Sequence, residues 1–492
     1  MTNHAVVIAG GGPTGLMLAG ELALGGIDVA IVEKRPTKEL IETRAGGLHA
    51  RTIEILDQRG IAERFLAEGQ KAQVAVFAGT KLDISEFPTS HPYGLALRQK
   101  HIERILADWV DELPTTVYRG CEVTGFTQDD SGIDITLSDG RRLRAQYLVG
   151  CDGGRSLVRK TAGIEFPGWD ATTSALIGEV EMTEVPKMGI RQDAIGLHSF
   201  GRREYDIVNG QVIFRDEGPI GVMVTEKEIG ATREPTLQDL KDALITIYGT
   251  DFGVHSPVWI SRFTDATRQA ATYRKGRVLV AGDAAHVHSP DGGQGLNLGI
   301  HDAVNLGWKL AQVVKGTSPE SLLDTYQAER HPVTARVLRN TMAAVALRRP
   351  DERTKAMREA MADALSFPEP RKKYAGMLSG LDVHYDLGQG HPLIGRRMPD
   401  LELITDKGSV RVYTLLHHAK PVVINFGAPN RLKADGVPMI DAKYEGRWEL
   451  PVLGEVAAPT AVLVRPDGHI AWVENQTPTS LKDAVNTWFG KS

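Results

Sequence analysis

Three uninterrupted apolar runs that end in glycine stand out along the chain. Residues 5–9 (AVVIA) open onto Gly10-Gly11-Gly12, residues 147–150 (YLVG) lead to Asp152-Gly153-Gly154, and residues 278–280 (VLV) lead to Gly282-Asp283. Runs of this length without alternation predict strands covered on both faces, as in a parallel sheet. After the first run, residues 14–24 are strong helix formers at helical spacing, and a second apolar run, 28–32, ends at Glu33. The product is a strand, turn, helix, strand unit.

Elsewhere the pattern changes. A glycine loop feeds a helix beginning near Ala50, and an amphipathic helix is predicted from about Arg98. Residues 123–150 alternate apolar and polar positions, with turns at Asp129-Asp130-Ser131-Gly132 and Asp139-Gly140, which predicts an antiparallel meander returning to the run at 147–150. Residues 172–262 mix strand-like runs with a helix over 237–248, a separate sheet. From Gly276 come a strand, a glycine-rich loop and a long helical stretch to about Arg348, then a proline-marked helical piece and a linker. Residues 393–492 read as an α/β unit with a strand in PVVINF and a hairpin turned by Pro466-Asp467-Gly468.

The first unit carries specific chemistry. Gly10 suits the tight turn, Gly12 a close backbone approach to pyrophosphate, and Gly15 the packing of helix on strand. Glu33, 18 residues beyond Gly15, is placed to accept from ribose hydroxyls. A ribose-binding acid serves FAD and NAD alike, so this unit alone leaves the dinucleotide open.

Composition narrows the class. A chain of 492 residues exceeds one ordinary core, and 42% hydrophobic with 24% charged residues is a globular balance. The net charge of −5 argues against nucleic acid as a partner. Two cysteines, Cys121 and Cys151, exclude a disulfide scaffold; with no leader-like start and no apolar run of spanning length, a cytoplasmic protein without membrane association is expected.

Two more signatures bear on the cofactor. Asp152-Gly153-Gly154-Arg155-Ser156 follows one buried strand; Gly282-Asp283-Ala284-Ala285-His286 follows another and precedes Pro290 and Gly292-Gly293-Gln294-Gly295-Leu296-Asn297. Asp283 is a good acceptor for a ribityl hydroxyl, and the amides of a helix starting near Gly295 can hold negative charge. Each pair alone is ordinary turn chemistry; their order and spacing make them specific.

With these motifs in hand, nearly the whole chain resembles the single-component FAD-dependent aromatic hydroxylases of the para-hydroxybenzoate hydroxylase fold. "GLHART.E", "GCDGGRS.VR" and "GDAAH.H.P.GGQGLNLG..DA.NLGWKL" are legible at 47–54, 150–159 and 282–310. They make the chain most similar to the angucycline, tetracycline and rifamycin hydroxylases. The resemblance implies an α/β, Rossmann-like FAD-binding domain (1–171 and 266–390) interleaved with a mixed-sheet substrate domain (172–265), and a thioredoxin-like domain (391–492). It assigns the ADP half of FAD to Gly10, Gly12, Thr14, Gly15, Glu33 and Lys34. Arg44, Gln99 and Val123 also match cofactor positions; Asp152, Gly153 and Ser156 form the second signature, said to serve both FAD and NAD(P)H. Asp283 would hold the ribityl chain, with Pro290, Gly293, Gly295, Leu296 and Asn297 around the flavin.

The implied reaction is NAD(P)H-driven flavin reduction, O2 capture as a C4a-hydroperoxide and hydroxylation of an aromatic polyketide or polyphenol. NADPH or NADH would dock transiently, since no second dinucleotide unit is legible. Hydroxylation of small phenols, oxidative inactivation of an antibiotic, and an FAD-binding chaperone without catalysis remain as alternatives. Arg203, Tyr205, Arg215, His288 and Gly292 are candidates for the substrate pocket, with Arg202 beside them; solvated strand faces carry the same residue types. His286 and His288 lack a third nearby ligand, so no metal is expected. The tail has Gly427-Ala428-Pro429-Asn430 where a redox thioredoxin needs Cys-x-x-Cys, which leaves a structural or homodimerising role.

Overall fold

The computed structural model describes residues 2–41, 46–202, 205–208, 211–214, 217–230, 233–434 and 436–490. Its principal sheet is ordered Arg274–Lys275, Val278–Val280, Arg142–Gly150, Thr2–Ala9, Val29–Glu33, Thr115–Arg119. The five strands from Val278–Val280 to Thr115–Arg119 are mutually parallel. Val6, Val7, Ile8, Val29, Ala30, Ile31, Leu148, Val149 and Val278 have no exposure, because they share one core with Leu16, Met17 and Leu18 of a helix and Ile133, Ile135 and Leu137 of the meander, which explains the unbroken apolar runs. Two expected boundaries move: the first strand begins at Thr2, in a partly exposed lead-in, and the second runs Val29–Glu33.

The chain leaves Thr2–Ala9 toward one edge and later returns to its other side at Arg142–Gly150. This reversal opens a crevice beyond the carboxyl ends of the two central strands. Gly10, Cys151-Asp152 and Gly282 all lie at those ends. Cys151 is thus just past its strand, not within it, and its carbonyl would clash with any Cβ at Gly10, where φ is +105°. Gly15 is equally constrained, since its Cβ would strike the Gly10 carbonyl.

A second, antiparallel sheet orders Gly189–Gln192, Leu197–Arg202, Ile220–Thr225, Ser174–Met182 and Val254–Thr264. Leu240 and Leu244 of the helix Leu237–Tyr248 pack on its Leu176, Val180, Val222 and Val224. Thr236 and Asp239 close a capping box at that helix's start. Near the carboxyl end, Met439–Asp441, Val422–Asn425, Ala461–Val464 and Ile470–Val473 form a third sheet in that order, followed by the helix Leu481–Phe489.

The third sheet is locked to the first by its hairpin turn. Arg59 pairs with Glu21 at 2.5 and 2.8 Å and also donates to the carbonyls of Leu416 and Pro466. Arg51 donates to the Asp467 carbonyl, and Arg465 takes both oxygens of Glu329 at 2.8 and 2.7 Å. Among the described residues, no helix is long and apolar enough to cross a membrane.

Candidate active site

Three loops converge on the crevice. At the first, the helix Pro13–Leu24 starts from Gly12 with no side-chain cap, and a Cβ on Gly12 would meet nothing within 4 Å. A free helix N-terminus beside open space is a ready anion site. Thr14 does not face that space: its hydroxyl and methyl fill the gap left by Gly282 and Gly299, fastening this helix to the third loop.

Glu33 is buried and accepts from the Gly11 amide at 2.6 Å and from the Arg35 amide and Nε at 2.9 Å. Burial opposes ionisation, but the hydrogen bonds and charge of Arg35 hold the carboxyl below its ordinary value. Arg35 also pairs with Glu103, which accepts from Gln99 at 2.7 Å. Sequence reading missed Arg35 and Glu103, because a charged pair on separate elements leaves no periodic mark. Lys34 is exposed and Val123 is buried.

In the second loop, Asp152 Oδ2 accepts from the Val158 amide at 3.0 Å, while Oδ1 is buried without a partner. Gly153 has φ +79° with open space at its Cβ position. Ser156 spends its hydroxyl capping the short helix Leu157–Thr161, accepting from Arg159 N. Arg159 in turn donates to the carbonyls of Gly154 and Ala284, tying the second loop to the third.

The third loop is held from below. Asp302, fully buried, accepts from the Gly282 amide at 3.1 Å, His286 Nε2 at 2.7 Å and Arg330 Nε at 2.8 Å. His286 therefore braces the loop through Asp302. The 21-residue helix Gln294–Val314 begins at Gly293, φ +63°, again with no side-chain cap. Asn297 accepts from His49 N at 2.8 Å and donates to the carbonyls of Gly293 and Gly47. His49 Nε2 donates to the Gly292 carbonyl at 2.9 Å. Asp283 and Pro290 are exposed, and Gly295 and Leu296 half-buried, at the mouth.

Beside this mouth lies a small open cleft. Its walls are Val76, Phe77 and Ala78 of a hairpin, Val337 and Ala344 of the helix Asp324–Ala346, and Met377 with Leu378. Asp291, Gly292, Gln294, Asn340 and Arg348 supply its polar edge. Arg348 pairs with Asp291, and its carbonyl accepts from Gln192 of the second sheet at 2.8 Å. Of the expected pocket residues, Gly292 lines the cleft and His288 sits at the mouth. Arg203 and Arg215, like the cofactor candidate Arg44, lie outside the described residues, as does the side chain of Tyr205.

Burial pushes His49, His288 and His469 down to about 4, and His301 well below its ordinary value. Unfolded histidine titrates near 6.5, so between about 6.5 and 4 the unfolded chain binds more protons than the fold. Stability is therefore expected to fall as pH drops through that window, ahead of carboxylate protonation. A melting temperature unchanged between pH 8 and pH 5 in scanning calorimetry would contradict this.

The crevice fits a dinucleotide. Two uncapped helix starts face it, Gly12 leaves room for a close ligand, and Asp152 offers an unsatisfied buried acceptor. Comparison with known proteins agrees. Residues 3–341 match the FAD binding domain family, and residues 391–492 match the aromatic-ring hydroxylase C-terminal family. The chain is 43% identical to a 12-dehydrotetracycline 5-monooxygenase/anhydrotetracycline 6-monooxygenase of Streptomyces rimosus, over 99% of both chains. It is also 43% identical to a rifampicin monooxygenase of Streptomyces venezuelae, over 99% of this chain and 98% of that one. The solved structure of the OxyS anhydrotetracycline hydroxylase from Streptomyces rimosus superposes with a TM-score of 0.88 at 40% identity, covering 100% of both. A chain with this crevice, these loops and these relatives belongs to the FAD-binding aromatic-ring hydroxylase family of flavin monooxygenases.

Proposed function

We propose that this FAD-dependent monooxygenase hydroxylates a bulky aromatic polyketide or polyphenolic natural product at the expense of NADPH or NADH. The observation that carries the substrate reading is the cleft beside Gly292. Its apolar walls, Phe77, Val337 and Met377 among them, suit an aromatic ring, and the 43% identity to tetracycline and rifampicin monooxygenases favours a fused-ring one.

The amides around Gly10, Gly12 and Gly15 would hold the pyrophosphate and Glu33 the ribose, with Lys34, Gln99 and Val123 on the adenosine side. Asp152 with Gly153 and Asp283 would take hydroxyls, and Pro290, Gly293, Gly295, Leu296 and Asn297 would surround the flavin ring. Bound FAD supplies hydride acceptance from NAD(P)H and activation of O2. The chain's part is positioning and dryness. Phe77, Val337 and Met377 exclude water from the aromatic substrate, while Gln294, Asn340 and Arg348 can orient its polar substituents. The uncapped start of Gln294–Val314 favours negative charge on the ring edge.

The division into 1–171 with 266–390, 172–265 and 391–492 is part of this reading. So is a thioredoxin-like last unit, which the order of its four strands supports. Homodimerisation and a cytoplasmic location complete it. Resemblance to a rifampicin monooxygenase favours a second reading, in which the same chemistry inactivates an antibiotic.

The test is NADPH oxidation by the FAD-loaded protein with anthraquinone, angucycline, tetracycline, rifamycin and simple phenol substrates, products being read by mass. A polycyclic substrate that stimulates oxidation and leaves one oxygen atom heavier is expected; turnover of simple phenols alone would overturn the bulky-substrate reading. Separately, Asp283→Ala should weaken FAD binding by about tenfold or more through loss of a hydroxyl acceptor. Unchanged affinity by flavin fluorescence titration would remove Asp283 from the ribityl site.

A further inference from the structure

His288 presents a hydrogen-bond acceptor that nothing in the protein uses. Its Nδ1 lies 2.6 Å from the Ser289 carbonyl, and a carbonyl only accepts, so Nδ1 carries the ring proton. In the neutral ring Nε2 is then an acceptor with its lone pair outward. That atom is buried and has no partner. Such an orphan is costly and rare in folded proteins. Burial holds the ring neutral, at about 4, so it brings no positive charge to the site.

The surroundings say what the orphan faces. A Cβ built on Gly295 would lie 3.8 Å from His288 Nε2 and 3.7 Å from Asp283 Oδ1. Both acceptors therefore border the same small space at the start of the helix Gln294–Val314, and glycine at 295 keeps that space open. A phosphate or carboxylate, which has no donor, would meet two acceptors there and be repelled. A group with adjacent O–H donors gives His288 Nε2 the donor it lacks and can place a second hydroxyl beside Asp283. On the FAD reading above, the part of the cofactor with that chemistry is the ribityl polyol.

We propose that His288 is a cofactor-contacting residue whose Nε2 accepts a hydrogen bond from one ribityl hydroxyl of FAD, next to the hydroxyl taken by Asp283. The assignment moves His288 from the substrate pocket to the cofactor, and it rests on the FAD reading. It also gives Nδ1 and Ser289 a purpose. Their hydrogen bond fixes the tautomer, so the acceptor faces the cofactor without reorganisation on binding.

The test compares wild-type protein, His288→Phe and His288→Gln, stripped of flavin. Each is titrated with FAD and with FAD analogues lacking one ribityl hydroxyl, and binding is read by flavin fluorescence. His288→Phe keeps a ring but no acceptor and is expected to weaken FAD binding about tenfold, whereas His288→Gln, which restores an acceptor, should stay within about threefold. One deoxy analogue should bind wild type and His288→Phe equally, because the lost hydroxyl and the lost acceptor are the same interaction. A merely structural role would lower affinity for every analogue in parallel, and that result overturns the proposal, as does unaltered FAD affinity in His288→Phe. If His288→Phe does not fold, His288→Leu, which also lacks an acceptor, takes its place: one deoxy analogue must bind it and wild type equally, and a parallel loss across all analogues overturns the proposal. Failure of the wild-type chain to bind FAD would sink the cofactor reading itself, a result distinct from all of these.

Discussion

Asp302→Ala is expected to cost about 3–5 kcal/mol of stability and to abolish flavin retention. The carboxylate is fully buried and answers three donors: Arg330 Nε, His286 Nε2 and the Gly282 amide. Desolvation opposes its charge, yet the Arg330 guanidinium and the His286 contact hold it below the ordinary carboxyl value. Removing it strands the Arg330 guanidinium in a buried setting, where only Tyr385 Oη and the Leu298 carbonyl remain, at 3.3 and 3.4 Å. The Gly282 amide loses its anchor at the same time, and the loop presenting Asp283 loses its footing. Asp302→Asn keeps an acceptor for one donor and should lose less. Urea unfolding of both variants, with flavin release followed in parallel, checks the ranking; an alanine variant as stable as wild type would refute it.

Arg465→Met is expected to cost a similar amount, about 3–5 kcal/mol, but to fail in a different place. Arg465 is fully buried, holds Glu329 through two bonds and Asp467 through two more, and lies 4.7 Å from the Trp488 ring centroid. Against the cost of burial, the charges of Arg465 and Lys309 hold the Glu329 carboxyl well below its ordinary value. Methionine fills part of the volume but leaves Glu329 and Asp467 with far less countercharge, chiefly Lys309, 3.0 Å from Glu329. Undocking of the carboxyl-terminal sheet should follow. Limited proteolysis would then release fragments near residue 390 while the FAD-binding part survives. Uniform resistance across the chain would show that the hairpin contributes little.

These two networks mark the limit of what the sequence discloses. The central strands were legible because a parallel sheet covered on both faces leaves an unbroken apolar run, as in Val6, Val7 and Ile8. The three crevice loops were legible because backbone geometry at Gly10 and Gly15 admits no side chain. Asp302 and Arg330 were not, since a buried ion pair 28 positions apart reads in sequence as two exposed charges. Arg465 misleads for the same reason. A charge at a hairpin turn ordinarily faces water, but here residues 461–474 are all buried. The Thr14 side chain packs against Gly282 and Gly299 and the Ser156 hydroxyl caps a helix, details that motif matching, which identifies a loop but not what each of its atoms touches, does not disclose.

The strand order has a consequence for how the protein is made. The dinucleotide loop leaves the ribosome well before its neighbour across the crevice, from residues 142–154, and the third loop, from residues 282–297. The hairpin that neutralises Glu329 arrives only at Arg465. A nascent chain thus carries an incomplete cofactor site until residue 297 has emerged, with the apolar edge of the parallel sheet unpaired until Val278–Val280 emerges. Flavin supplied during translation would find its full set of partners only once the third loop has emerged, so the yield of soluble protein should depend more on chaperone capacity than on flavin supply.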